Sequence, residues 1–437
     1  MKKQFERFLP TNFDWKSAIA FSKLTGITGA AQLLIQAIGL LSGIIVIRLL
    51  STDQYAYYTL ANTMLGTMVV LADGGIAAGV MAQAGRVYQN KERLGVVLNT
   101  GLELRRKFAV GSLIIAAPVL IYLLVHQGAG WGYAILILLS LIPAFYAALS
   151  GAIFMMPFKL RQDIKPLQRN LVVESISRFL LIFSLILLPW AFIAILSAGL
   201  PRIYANIRLR ILSASAADWS QKSDKAVRQS ILKMVKRLMP GAIYYCVSGQ
   251  ISIWLISFFG NTEAVAQIGA LGRIAIMLSV INTLFATLVY PRYARLPEIK
   301  GLLTKRYLLI ISALLTITVV LVSLVYVFSD QILWVLGPEY SRLNYELALS
   351  VSASSIALMS GATFILTTHR GWAIHPGLSI PVSILAIVSG AILLNVSTLV
   401  GVLIFNIYVV SAQFLLNSAF LIFKLNTFSS QPFSASD

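Results

Sequence analysis

The chain is written in long apolar runs separated by short polar ones. The runs lie at roughly 25–50, 55–82, 108–125, 131–156, 171–188, 189–206, 238–259, 264–291, 307–328, 345–367, 373–394 and 398–423. About 20 residues of helix cross a hydrocarbon core ~30 Å thick. In lipid every backbone N–H and C=O needs an internal partner. Runs of this length, rich in Leu, Ile, Val and Ala, therefore predict helices; a barrel would show ~10-residue alternating segments instead. The expectation is an all-α, polytopic membrane protein with about twelve transmembrane helices. The fifth and sixth runs are joined only by a turn at Leu188, Pro189 and Trp190.

Polar positions between the runs alternate in charge. Of 35 basic residues, 31 fall in every second loop and at the two ends. The opposite loops hold only Arg48 and Arg342, at their edges. Positive residues are retained in the cytoplasm, so the basic side predicts cytoplasmic loops and, with an even helix count, cytoplasmic termini. Residues 1–24 and 424–437 are then tails, and 25–206 and 238–423 are two six-helix bundles. The polar segment 207–237 between them is a basic linker. Ala226, Ile231, Met234 and Leu238 fall near one helical face, which suits an amphipathic helix on the inner leaflet; an ordinary tether fits equally.

Composition sharpens this picture. Hydrophobic residues make up 58% of the 437 residues and charged ones only 12%, too few for a soluble surface. The net charge of +19 is spread over many loops, so it speaks for topology and against a nucleic-acid partner. The single cysteine, Cys246, lies in an apolar run and cannot form an intrachain disulfide. His126, His369 and His375 have no metal-ligand spacing, so no metal and no cofactor is expected. Residues 1–23 carry charge throughout, so no cleavable signal is expected.

The first and seventh runs turn over in similar ways. Ser51-Thr52-Asp53-Gln54 and Asn261-Thr262-Glu263 each precede a helix rich in small residues, about 210 positions apart. Parallel six-helix repeats are a transporter signature, with the substrate in a central cavity between the halves.

Ionisable residues within spans cost about 2.5–3.5 kcal/mol each, so they are candidate functional groups. Asp73, beside Gly74 and Gly75, is either a site for a coupling proton or cation or a structural carboxylate. Arg273 lies too deep to snorkel and suits an anion in a central cavity. Glu174 and Arg178 share a helical face at i,i+4 and can pair. Arg48 ends the first span and is expected to snorkel. Gln36 and Gln250, like Gln32 and Gln267, could bind sugar hydroxyls or bond neighbouring helices.

The segment Ser51-Thr52-Asp53-Gln54-Tyr55-Ala56-Tyr57-Tyr58 and the later Leu71-Ala72-Asp73-Gly74-Gly75-Ile76 resemble the opening of the O-antigen/polysaccharide flippases. Gly337-Pro338-Glu339-Tyr340 and Tyr290-Pro291-Arg292 are similar to steps of that family, whereas Tyr55-Ala56 stands where a Tyr-Gly pair is usual. The family lies in the multidrug/oligosaccharidyl-lipid/polysaccharide exporter superfamily. The resemblance implies two bundles around a V-shaped cavity in a bacterial inner membrane. It implies outward flipping of a polyprenyl-pyrophosphate-linked oligosaccharide, with Arg273 and Arg178, helped by Gln250 and Gln36, around the headgroup. Implied partners are that lipid-linked substrate, membrane lipids, and the polysaccharide polymerase and chain-length machinery. The alternatives are a multidrug or other small-molecule antiporter of the same superfamily, and a glycan polymerase or ligase. A membrane enzyme would need a long outer loop or clustered carboxylates, and neither is present, so no enzyme is expected.

Overall fold

The computed structural model describes residues 15–428 except 162, 276–277, 279–280, 283–284, 286–288, 291–292, 294–295, 297–298, 369, 371 and 373, and the side chains of 15–28 and 245–247. The expectations for Cys246, His369, Pro291, Arg292 and the outermost tails fall outside the described residues.

Every regular element among the described residues is a helix. In chain order they are α1 (Trp15–Leu49), α2 (Thr52–Asp73), α3 (Ile76–Val87), α4 (Lys91–His126), α5 (Trp131–Phe154), α6 (Met156–Leu160), α7 (Ile164–Ile182) and α8 (Ala191–Leu212). The second half has α9 (Lys225–Phe259), α10 (Thr262–Ala275), α11 (Lys300–Val327), α12 (Ser329–Leu336), α13 (Asn344–Thr368), α14 (Pro376–Leu393) and α15 (Leu399–Phe428). Among the described residues seven helices are long and apolar enough alone to cross a membrane, and nine if each bent pair counts as one span. α7 and α8 fall short because they carry charge, including Glu174, Arg178 and Arg202.

The turns α1–α2, α4–α5, α7–α8, α9–α10 and α12–α13 gather at one end. There the Gln54 side chain accepts from the Tyr133 hydroxyl and from the Ala191 N–H at 2.9 Å. The basic loops gather at the other end, where the Asp218 N–H donates to the Lys91 carbonyl at 3.0 Å.

Three boundaries differ from expectation for physical reasons. First, α4 begins at Lys91, so Arg105 is not a loop residue: it is 4% exposed, inside the bundle. Second, the second span is broken. Gly74 and Gly75 have φ of 47° and 95°, a backbone that glycine adopts freely, and α2 and α3 meet at a bend of 48°. Third, residues 225–237 form no separate helix on a leaflet. They are the first turns of α9, with Ile231 and Val235 buried against Ile76, Val80, Leu94 and Leu98. Of the face read from the sequence only Ile231 is buried: Ala226 and Leu238 are exposed, and the side that packs on α3 and α4 is Val227, Ile231, Leu232 and Val235. A β-carbon on Gly75 would lie 2.9 Å from the Leu238 Cβ, so this docking needs glycine there.

The repeat is visible in matched contacts. Ser51 Oγ accepts from Gln54 N–H at 3.4 Å, capping α2, as Asn261 Oδ1 accepts from Ala264 N–H at 2.8 Å before α10. In the first half Asn206 of α8 donates to Ser150 Oγ of α5 at 3.1 Å. In the second, Asn417 of α15 donates to Ser360 Oγ of α13, also at 3.1 Å.

Candidate functional site

The end opposite the basic loops is closed by a latch between the halves, and the latch obeys the repeat. Thr52 donates to the Glu339 carboxylate in the turn after α12. Thr262, its counterpart 210 positions on, donates to the Gln127 carbonyl in the turn after α4 at 3.2 Å. Gln127 Nε2 also donates to the Ser257 carbonyl at 2.8 Å. Arg48 donates to the Trp334 and Val335 carbonyls, the latter at 2.7 Å, and its guanidinium lies 5.1 Å from the Trp334 ring. Arg48 therefore does not merely snorkel. It satisfies the last carbonyls of α12, where the helix dipole favours a cation.

Beneath this latch lie Tyr55 and Tyr58, 1% and 2% exposed, on the second turn of α2. α10 brings Arg273 to them from the other half. Arg273 stands eleven residues into α10, roughly 16 Å from its start at ~1.5 Å per residue. Its guanidinium carbon lies 5.8 Å from the Tyr58 ring centroid, and its aliphatic stem runs along Gly43 of α1. Arg178 of α7 approaches the same tyrosine, close enough to interact with it electrostatically. Two guanidinium groups thus converge on Tyr58. Neither forms an ion pair among the described residues, and Arg178 Nε is buried without a hydrogen-bond partner. The Tyr58 ring face supplies part of what Arg273 needs through its quadrupole, and the tyrosine hydroxyls accept hydrogen bonds from both arginines. An anion between the two would supply the rest, because guanidinium groups bind phosphate and carboxylate oxygens in paired hydrogen bonds.

The other singled-out residues fall around this point or away from it. Glu174 does not pair with Arg178. The cations acting on it are Arg202 of α8 first and Arg178 second, and neither reaches ion-pair distance. The i,i+4 spacing brings their backbones together, but the Arg178 guanidinium turns to Tyr58. Gln250 of α9 faces Gly66 of α2, with its Nε2 3.9 Å from where a β-carbon would stand there. Gln36 is half-buried on α1 and has a polar partner. Gln267 bonds Glu263 at 2.8 Å near the closed end and is not part of the site.

Asp73 belongs to a different cluster, at the α2–α3 break. One of its oxygens pairs with Arg105 of α4 and also accepts from the Ala77 N–H at 3.0 Å. Arg105 donates in addition to the Leu149 carbonyl of α5. Asp73 thus caps α3 and ties α2, α4 and α5 together. Arg105, Tyr55 and Tyr58 escaped the reading of the chain as functional candidates. The tyrosines stood in the segment that carries the family resemblance, and their i,i+3 spacing was the available signal. Arg105 looked like one more loop cation beside Arg106 and Lys107.

Among the described residues no group of three or more His, Cys, Asp and Glu could hold a metal ion. His126 stacks on Tyr122, and His375 caps α14 through the Gly377 N–H.

No protein-family model matches the sequence, and no curated protein does. Solved structures match along nearly the whole length. An inward-facing multidrug resistance MATE family transporter of the MOP superfamily superposes with a TM-score of 0.72, at 15% identity over 92% of this chain and 96% of that one. An outward-facing structure of a multidrug resistance MATE family transporter gives 0.61, at 16% identity over 92% and 94%. A MOP superfamily transporter from Pyrococcus furiosus, described as having a binding pocket of reverse polarity, gives 0.63 at 16% identity over 94% and 96%. The chain has the all-α, two-bundle, polytopic membrane fold of these transporters.

Proposed function

We propose that this protein is an alternating-access transporter whose substrate presents an anionic phosphate group, and specifically a flippase for a polyprenyl-pyrophosphate-linked oligosaccharide. The observation that carries the reading is the convergence of Arg178 and Arg273 on Tyr58 with no carboxylate at ion-pair distance from either. The two arginines come from different halves of the chain. A pyrophosphate held between them is gripped only while the halves stand in one relation, which couples binding to rocking. The lipid tail stays in hydrocarbon while the glycan occupies the cavity. On the sidedness read from the loops, a membrane potential negative inside favours outward movement of the anion by about 2.3 kcal/mol per charge per 100 mV. Under this reading the protein resides in a bacterial inner membrane with both termini cytoplasmic.

A second reading has an observation of its own. Two of the structures that share the fold are described as multidrug resistance transporters. A cationic drug would be repelled by two arginines that have no carboxylate at ion-pair distance, which favours the anion.

Translocation of a fluorescent lipid-linked oligosaccharide headgroup in proteoliposomes tests the proposal. Arg273→Ala is expected to abolish translocation and Arg273→Lys to retain part of it, at unchanged protein level. Full translocation by Arg273→Ala, or gradient-driven export of cationic dyes that the same change leaves intact, overturns the anion reading.

A further inference from the structure

A second basic site lies on the outside of the first bundle, away from the arginines at Tyr58. A groove of about 410 Å³ runs over α5 between α4 and α8 near the basic end. Arg105, Arg106 and Arg210 line it, together with Tyr146, Phe154 and Asn206. Arg106 and Arg210 are exposed, whereas Arg105 is 4% exposed and its Nε is buried with no hydrogen-bond partner. The Arg210 guanidinium stands over Trp219, 5.9 Å from the ring centroid. Apolar side chains continue from the groove toward the middle of the membrane. Ile142 of α5 and Ile203 and Ile207 of α8 line it on that side, Ile207 being 56% exposed.

The repeat supplies an internal comparison. The second half has a cavity of about 440 Å³ over α13, lined at the matching positions by Ala357, Ser360, Phe364, Gln413 and Asn417. Among the described residues its remaining lining, which includes Tyr244, Ser379 and Ser383, carries no arginine. The equivalent faces of α5/α8 and α13/α15 thus open on a cavity in each half, but the remaining wall is α4, with Arg105 and Arg106, in the first and α9 and α14 in the second. A groove with cations toward the basic end and an apolar continuation matches an amphiphile with an anionic head. Basic pockets between spanning helices are known to hold such lipids.

We infer that the groove between α4, α5 and α8 binds the headgroup of an anionic phospholipid from the leaflet at the basic end, with Arg106 and Arg210 on its phosphate and the acyl chains along Ile142, Ile203 and Ile207. The bound lipid is a resident of the bundle surface and is distinct from the transported molecule. It also lies over Arg105, so it braces the ion pair that holds the α2–α3 break.

Native mass spectrometry of the full-length protein in mixed micelles tests this, with phosphatidylglycerol and phosphatidylcholine offered in equal amounts. The wild type is expected to retain phosphatidylglycerol selectively, and inorganic phosphate is not expected to displace it. Each basic group near an anionic headgroup is worth about fivefold in affinity, so Arg106→Gln with Arg210→Gln lowers the preference about 25-fold. Both side chains are exposed, so the fold survives the changes, which the thermal midpoint checks. Lys300→Gln with Lys305→Gln, at the same end but outside the groove, leaves the preference unchanged. Equal retention of the two lipids by the wild type overturns the inference, as does an equal loss in the lysine control, which would mean diffuse surface charge.

Discussion

Thr59 and Gly269 touch where α2 crosses α10, and they stand at equivalent positions of the two halves, 210 residues apart. A β-carbon on Gly269 would lie 2.7 Å from Thr59 Cγ2 and overlap its hydroxyl. The crossing point therefore lies on the pseudo-twofold axis of the repeat, one residue past Tyr58 on α2 and one helical turn before Arg273 on α10. The close approach lies at the end that the latch closes. Gly269→Ala should destabilise this closed state by about 1–3 kcal/mol through overpacking. Thr59→Ala should restore most of the loss when combined with it. A double-mutant cycle on thermal stability checks the pair, and additive effects would show that the contact is not specific.

Asp73 and Arg105 form a buried ion pair at the α2–α3 break. Removing one partner leaves the other charge unpaired at low dielectric, so Asp73→Asn should cost about 3 kcal/mol of stability. Arg105→Gln should do likewise, and the two changes together should cost less than their sum. Thermal unfolding in detergent reads all three. A normally stable Asp73→Asn protein whose transport no longer follows an ion gradient would instead make Asp73 the coupling site.

Arg48 joins α1 to the end of α12 across the halves. Its exposed position limits the bond to about 1 kcal/mol, so Arg48→Ala should raise the open population roughly fivefold. The buried Ser257, whose carbonyl Gln127 holds, offers a reporter. In a Cys246→Ser background, Ser257→Cys should react with a membrane-impermeant maleimide about fivefold faster once Arg48 is removed. An unchanged labelling rate would falsify the latch.

Glu103 clamps α4 to α9, bonding Arg228 at 2.8 and 2.9 Å. Hydrogen bonds from Lys107 and Ser223, with the Arg228 charge, hold its carboxyl down at about 2 from an ordinary 4.5. A depressed acid stabilises the fold above its unfolded value and loses that contribution as pH falls through its folded one. The clamp should thus hold at neutral pH and release between pH 4.5 and about 2. An acid-stable protease cutting within 213–224 should act faster over that window. Glu103→Gln should show the faster cutting already at pH 7 and respond less to acid.

The helices, their order and their turns were legible in the chain because they follow from a local demand. In lipid each segment must close its own backbone hydrogen bonds, so length and apolar content along a single run suffice. The loop charges at Lys159, Arg161, Lys300 and Lys305 were likewise legible as one side of a membrane. The resemblance at Ser51 to Tyr58 pointed to a superfamily whose fold the solved neighbours share. Partners were not legible. A span apolar on every side carries no polar stripe to say which face meets its neighbours. Only the rotation of each helix about its axis turned Arg178 to Tyr58 instead of Glu174, and gave Asp73 an arginine from α4. The same rotation laid Ile231 and Val235 on α3 and α4, where sequence periodicity alone allowed lipid equally well. Hydropathy determined which segments cross, and side-chain packing across helices decided which charges meet.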